Sequence, residues 1–188
     1  MEPLPDRVEH DGLLLRRWTV DDAEVMGALV ADNLDHLRPY MPWIASEPLT
    51  LDERRTMLAE WDAGWAAGNG VMMSISDHGV AVGSCGLHRR IGPGALEIGY
   101  WVAADHLGRG IARRASTALT GLAFTVDDID AVEIHHDLSN VHSRRVPEQL
   151  GFHLTRRSGA PREPQAPADT GVELIWRMTR DEWLARGT

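Results

Sequence analysis

The chain has 188 residues, 43% hydrophobic and 25% charged, a globular balance that suits one domain over 1–188 with a single good-sized core. Its formal charge of −9 disfavours nucleic acid as a partner and tolerates a cationic substrate, and its one cysteine, Cys85, excludes an intrachain disulfide. The polar amino terminus lacks a signal-peptide core and no apolar run approaches the roughly 20 residues that span a bilayer, so a cytoplasmic protein without membrane attachment is expected.

In chain order, Leu13–Leu15 read as a first strand, followed by a helix capped at Thr19 with Asp21, Asp22 and Glu24 in its first turn, ending before Pro39. The segment Leu37–Trp43 carries two prolines and is a loop of large side chains; it either packs on its own core or walls a substrate pocket. Thr50 and Glu53 form a capping box for the next helix, with Leu51, Leu58, Trp61 and Trp65 on one face. Val71–Ser76 and Val80–His88 are strands joined by a tight turn at Asp77-His78-Gly79. Ala95–Val102 is a strand that alternates, with Leu96, Ile98, Tyr100 and Val102 on one face and Glu97, Gly99 and Trp101 on the other.

A glycine-rich turn then leads into a helix near Arg109, whose apolar stripe is Ile111, Ala115, Ala118, Leu119, Leu122 and Val126. Ala131–His136 is a strand. Ser139 or Asn140 opens a helix that ends at Leu150 with Gly151 as its C-cap and with Pro147 inside. Phe152–Arg157 and Gly171–Thr179 read as strands on either side of a proline-bearing loop, and Asp181–Trp183 starts a closing helix. The order is mixed α/β with hairpins, not strict alternation.

The strand–turn–helix from Glu97 to Leu122 carries the first chemical signal. A diphosphate needs several backbone N–H groups aimed at one place, and a helix start preceded by glycines supplies them, with a favourable dipole. Gly108 and Gly110 permit close approach and unusual torsions, Ala112 keeps the first turn slim, and Arg109 adds positive charge. Taken alone, the same residues equally describe an ordinary strand-to-helix turn. The Gly-Lys-Ser/Thr ending of a nucleotide P-loop is missing, and so is a well-placed dinucleotide fingerprint.

Four pieces occur together and in order: Leu96-Glu97-Ile98-Gly99-Tyr100-Trp101-Val102, Leu107-Gly108-Arg109-Gly110-Ile111-Ala112, Asn140-Val141-His142-Ser143-Arg144-Arg145-Val146, and Gln149-Leu150-Gly151-Phe152. The combination resembles the GCN5-related N-acetyltransferase (GNAT) superfamily, in its RimJ/RimL-type branch that acetylates ribosomal-protein alanine or serine, over nearly the whole chain. The resemblance implies an α/β (α+β) GNAT fold: a central mixed, mostly antiparallel sheet of about seven strands, splayed between the fourth (Ala95–Val102) and fifth (Ala131–His136) and flanked by helices. It also implies acetyl-CoA in the V between those strands. The amides of Leu107, Gly108, Arg109, Gly110, Ile111 and Ala112 would then bind pyrophosphate, and the backbone of Tyr100, Trp101 and Val102 would pair with the pantetheine arm like an added strand. Asn140 would bind pantetheine or position the thioester. Arg144 and Arg145 would either meet the 3′-phosphate or remain solvated. Leu107 departs from the usual polar residue opening this loop, which a backbone-driven site tolerates.

Transfer needs a neutral amine, a polarised thioester carbonyl and a proton for the leaving thiolate. Glu97 is the candidate base, acting through water or directly, or else only a solvated strand carboxylate, with His88 as second choice. Ser143 either hydrogen-bonds the thiolate or relays a proton from water, or else merely caps its helix. Tyr100 points with the apolar set and reads as core. Cys85 reads as an inert buried thiol. His135 and His136 alternate across a strand, so no metal site is expected. An α-amine, with a pKa of about 7.7–8.0, is far more available as the free base near neutrality than a lysine amine at about 10.4. The expected acceptor is therefore a protein N-terminal amine, attacking acetyl-CoA directly in a ternary complex; the alternatives are a small-molecule amine (antibiotic, polyamine or amino acid) and a non-catalytic acyl-CoA-binding module. The branch resemblance also implies a homodimer.

Overall fold

In the computed structural model, residues 3–157 and 165–187 are described; part of the expected proline-bearing loop (158–164) lies outside them. The strands are β1 (Arg7–His10), β2 (Leu13–Arg17), β3 (Gly70–Asp77), β4 (Val80–His88), β5 (Ala95–Val102), β6 (Ala131–Asp137), β7 (His153–Arg157) and β8 (Glu173–Thr179). The helices are α1 (Ala23–Ala31), α2 (Leu34–Leu37), α3 (Leu51–Ala66), α4 (Ile111–Ala123), α5 (Val141–Leu150) and α6 (Arg180–Leu184). Among the described residues no helix is long and apolar enough to cross a membrane.

All eight strands form one sheet in the order β1-β2-β3-β4-β5-β6-β8-β7, antiparallel throughout except at β5–β6. The extra strand relative to expectation is β1. Its residues, Arg-Val-Glu-His, are mostly exposed, so they carry no hydrophobic alternation; an Asp11-Gly12 turn with both residues at positive φ folds them back on β2.

The parallel pair is the informative one. β5 and β6 share four partners, Ala95↔Ala131 to Ile98↔Ile134, and then separate. Beyond that point β5 stays paired with β4 up to Val102, and β6 stays paired with β8 up to Asp137. The split between the expected fourth and fifth strands is therefore present, and it leaves Gly99–Val102 without a partner on the β6 side.

Each face of the sheet has its own core. On one face α4 and α5 cover Leu15, Met73, Ile75, Leu87, Leu96, Ile98, Val132 and Ile134. On the other, α1 and α3 cover Trp18, Met26, Val30, Leu58 and Trp101. The single helix expected after Thr19 is broken: a 3-10 turn at Val20–Asp22 precedes α1, and buried Asn33 separates α1 from α2. Asn33 accepts from the Ala104 N–H at 2.7 Å and donates to the Leu29 carbonyl at 2.8 Å, tying the helix break to the end of β5. Asp22 accepts two bonds from Arg16, at 2.6 and 2.8 Å, and one from Thr19 N–H, which hold its carboxyl at about 2. At the end of α4, Arg180 donates to the carbonyls of Phe124, Val126 and Ile129, satisfying acceptors that a helix terminus leaves open.

Two imidazoles are held neutral inside this framework. Burial lowers His136 below the usual 6.5, and burial together with the Arg90 charge lowers His88 to about 4. His136 receives a hydrogen bond from Trp176 Nε1 at 2.9 Å, so its own hydrogen sits on Nδ1 and is donated to the Asp137 carbonyl at 2.8 Å. The unfolded chain therefore takes up protons first as the pH falls. Stability is expected to be level above about pH 6.5 and to decline below it. Calorimetric Tm followed from neutral pH down to about 5 checks this, and a Tm that rises on acidification would contradict it.

Candidate active site

The separation of β5 and β6 opens a slot that runs through the sheet. At its wide end β5 passes through a 3-10 turn at Ala104–His106 into Leu107–Gly110 and the start of α4. The helix starts at Ile111, two residues later than expected, because Gly108 and Gly110 both take left-handed torsions, with φ of 75° and 71°. A side chain at either position would be strained. Gly110 is the N-cap and offers no side-chain acceptor. Among the described residues no acceptor is bonded to the amides from Gly108 to Arg113; the first backbone bond into the helix is Arg114 N–H to the Gly110 carbonyl. Several N–H groups and the positive end of the helix dipole thus point out of the sheet beside the slot, an arrangement suited to a diphosphate. Leu107 is exposed and contributes only backbone, while Arg109 lies close by, with Nη1 3.4 Å from His106.

Across the slot, α5 begins at Val141, with Asn140 as its N-cap. Asn140 Oδ1 accepts from Ser143 N–H at 3.0 Å, which leaves its Nδ2 donor uncommitted to the cap. Ser143 is therefore not the capping residue. Its hydroxyl instead lies 3.0 Å from the Tyr100 hydroxyl, which also donates to the Ser143 carbonyl at 3.2 Å. Tyr100 is thus more than core: its ring packs with the apolar set while its polar tip bridges β5 and α5, and burial pushes its pKa up. Arg144 pairs with Glu148 at 2.8 Å and Arg145 is exposed. Pro147 is accommodated inside α5, which closes with Gly151 in the left-handed region.

The opposite face of the slot carries charge. Glu97 accepts from Arg90 Nε at 2.7 Å and Nη2 at 2.5 Å. Burial raises its pKa, but the Arg90 bonds and charge outweigh that and hold the carboxyl below its usual range. Glu97 stands directly across from Glu133 on β6. Glu133 is neutralised by Arg177 at 2.6 Å and is hydrogen-bonded to His135 Nε2 at 2.7 Å. His88 is the cross-strand partner of Glu97 on β4, so the two share this face. Cys85 is fully buried on the other face, where desolvation pushes its thiol up and leaves it inert.

The loop at Leu37–Trp43 packs on its own core. Leu37 is buried in the second core, and Ile44 just beyond it as well, while Trp43 is 38% exposed and its ring lies 6.2 Å from that of Trp101 on β5. His36 Nε2 donates to the Val102 carbonyl at 3.2 Å. A strap at 165–170 closes one end of this face. Ala168 donates to the Pro39 carbonyl and accepts from the Ser139 hydroxyl, and Asp137 accepts from Ser139 N–H and from Thr170 N–H and hydroxyl. Arg90, Asp137 and the Tyr100 hydroxyl were not singled out from sequence. Arg90 gives a usable signal in hindsight, as a cation facing an acid across the Gly92-Pro93-Gly94 turn.

Residues 12–153 match the family model described as an acetyltransferase (GNAT) domain. The Bacillus subtilis (strain 168) protein YdaF, named for ribosomal N-acetylation, is 30% identical over 146 residues, 76% of this chain and 79% of that one. Among solved structures, RimL, the ribosomal L7/L12 alpha-N-protein acetyltransferase in complex with coenzyme A, superposes with a TM-score of 0.82 at 21% identity, covering 96% of this chain and 99% of its own. The microcin C7 self-immunity acetyltransferase MccE, in complex with acetyl-CoA and AMP, gives 0.80 at 17% identity over 90% and 93% of the two chains.

Because Arg90 supplies what lowers the Glu97 pKa while burial opposes it, Arg90→Met is expected to raise that pKa. The loss of a partner for a buried carboxylate should also cost about 1–3 kcal/mol of stability. Carboxyl NMR titration of Glu97 checks the shift; an unchanged value would show that Arg90 does not control this group.

Proposed function

The chain belongs to the GNAT acetyltransferase family, and from that premise we propose that it transfers acetyl from acetyl-CoA to a primary amine, foremost the N-terminal α-amine of a ribosomal-type protein. The observation that carries this reading is the end of β5–β6 pairing at Ile98↔Ile134 beside an uncapped, glycine-bounded helix start. An extended, amide-bearing chain that ends in a diphosphate matches both features at once. The unpaired edge at Tyr100, Trp101 and Val102 takes the pantetheine arm as an added strand. The amides of Leu107 to Ala112, with Arg109, take the pyrophosphate. The free Nδ2 of Asn140 takes a carbonyl of the arm. Arg144 lies on the adjoining turn for the 3′-phosphate, at the expense of its pair with Glu148.

The amine approaches from the face of Glu97 and Trp43, attacks the thioester carbon directly in a ternary complex, and expels the thiolate. A serine is a weak acid by itself, so the 3.0 Å contact between Ser143 and Tyr100 gives the pair its role: the Tyr100 hydroxyl turns from the Ser143 carbonyl to donate to the Ser143 hydroxyl, whose own hydrogen is then free for the departing sulfur. Glu97 supplies fixed negative charge that draws the amine into the slot. For Glu97 to act as a base through water, one of its oxygens must first leave Arg90.

The ribosomal N-acetylation for which YdaF is named and the L7/L12 alpha-N-protein acetylation ascribed to RimL favour a protein N-terminus. A cytoplasmic location and a homodimer accompany that reading. A small-molecule amine is the second reading, favoured by the likeness to MccE and by the net charge of −9.

Thiol release from several acyl-CoAs, crossed with ribosomal-protein N-terminal peptides, polyamines and aminoglycosides, tests the proposal. Acetyl-CoA with N-terminal peptides should turn over fastest. Turnover confined to small molecules would select the second reading, and binding of acetyl-CoA with no turnover would contradict both. Gly110→Val should weaken acetyl-CoA binding at least about tenfold, because a β-branched residue at that torsion is strained by roughly 1–3 kcal/mol.

A further inference from the structure

Three imidazoles stand on β4 and β6 beside the slot, and two of them are committed. His135 bonds Glu133, and His136 is fixed between Trp176 and the Asp137 carbonyl. His88 differs: the residue is half-buried, and among the described residues no hydrogen bond reaches either of its ring nitrogens. Its setting is built for it. Gly99, on β5, lacks the side chain that would crowd the ring: a β-carbon there would stand 3.3 Å from His88 Nε2 and 3.7 Å from Cδ2. Gly99 takes no positive φ, so space rather than torsion accounts for it. Its cross-strand partner Gly86 makes room first for the Val71 carbonyl and the Met72 sulfur, 2.6 and 2.8 Å from where its β-carbon would be. Gly99 is also the first β5 residue beyond the last β5–β6 pair, so Nε2 is delivered to the point where the slot opens.

Glu97, the directly opposed residue on the same face, has both oxygens on Arg90. We propose that His88, rather than Glu97, receives the proton of the acceptor amine, with Glu97, held in place by Arg90, positioned to steady the imidazolium that forms. The inference rests on the acyl-transfer reading above. In the step, the amine nitrogen bonds the thioester carbon as the carbonyl electron pair moves to oxygen. The nitrogen's proton passes to the Nε2 lone pair of the neutral His88 ring in its Nδ1–H form. Collapse of the adduct re-forms the carbonyl and breaks the C–S bond. The thiolate takes a proton from water by way of Ser143, and His88 returns its proton to water. The facing charges suit this cycle: Arg90 and burial keep the resting ring neutral, and Glu97 favours the charged form.

His88→Gly and His88→Gln, assayed at saturating acetyl-CoA beside the wild-type protein, test the proposal. Removing a general base typically costs about a hundredfold or more in kcat. Both variants should lose that much while keeping their affinity for acetyl-CoA, and added imidazole should restore much of the loss in His88→Gly but not in His88→Gln. A kcat within about twofold of wild type in either variant overturns the role of His88. So does a loss that imidazole does not rescue, or lost acetyl-CoA affinity in both variants, which would mark the ring as packing. Wild-type protein that turns over no amine would overturn the acyl-transfer reading itself, a result distinguishable from the others.

Discussion

The organisation of this protein depends on an incomplete ladder: β5 and β6 share four residue pairs and then part. Backbone N–H and C=O groups inside a sheet are costly to leave unpaired, so a strand edge opened in mid-sheet is a site for something strand-like. The gap is kept open from both sides. β4 retains β5 and β8 retains β6 over the full length of the divergence. Tyr100 reaches from β5 to Ser143 on α5 and spans the gap with a hydrogen bond rather than with backbone. The glycine turn then sets the uncapped end of α4 at the wide mouth, so an extended ligand with an anionic tail would have both its parts met.

The two faces of the gap divide the chemistry. One is apolar apart from the Tyr100–Ser143 pair, the Asn140 cap and the His136–Trp176 pair. The other carries Glu97, Glu133, His88 and His135, with Arg90 and Arg177 balancing the acids. A buried carboxylate held twice by a guanidinium is a stable anion and a poor proton acceptor, because protonation would break the pair. His88 has no hydrogen bond to lose among the described residues, so protonating it breaks no pair, and the Glu97 charge beside it favours the charged form. The proposed assignment of charge to Glu97 and of proton acceptance to His88 follows from that contrast rather than from the acidity of either group taken alone.

Much of the fold was legible because its elements carry strong local signals. The α4 stripe from Ile111 to Leu122, the alternation of β5, the Thr50–Glu53 capping box and the Gly151 cap all appear where periodicity and capping chemistry put them. Strand β1 was missed because an exposed edge strand needs no apolar face, and its Arg-Val-Glu-His has none. The break between α1 and α2 was missed because Asn33 is there for a distant partner, the Ala104 amide. At the site, backbone placement could be read and side-chain commitment could not. Position 97 is on the expected face of β5, but its clamp comes from Arg90 across a turn; Tyr100 counts as apolar by periodicity, yet its tip decides its contact. Long-range pairs of this kind have no signature in residue spacing.

The central claim is that the parted strands and the α4 start together hold the acyl donor. Backbone amide NMR during titration with coenzyme A tests it most directly, because it reads those N–H groups one by one. The account predicts the largest shifts at Tyr100–Val102 and Gly108–Ala112, with a second set at Asn140–Ser143. Shifts confined to other surfaces, or none at saturating coenzyme A, would contradict it.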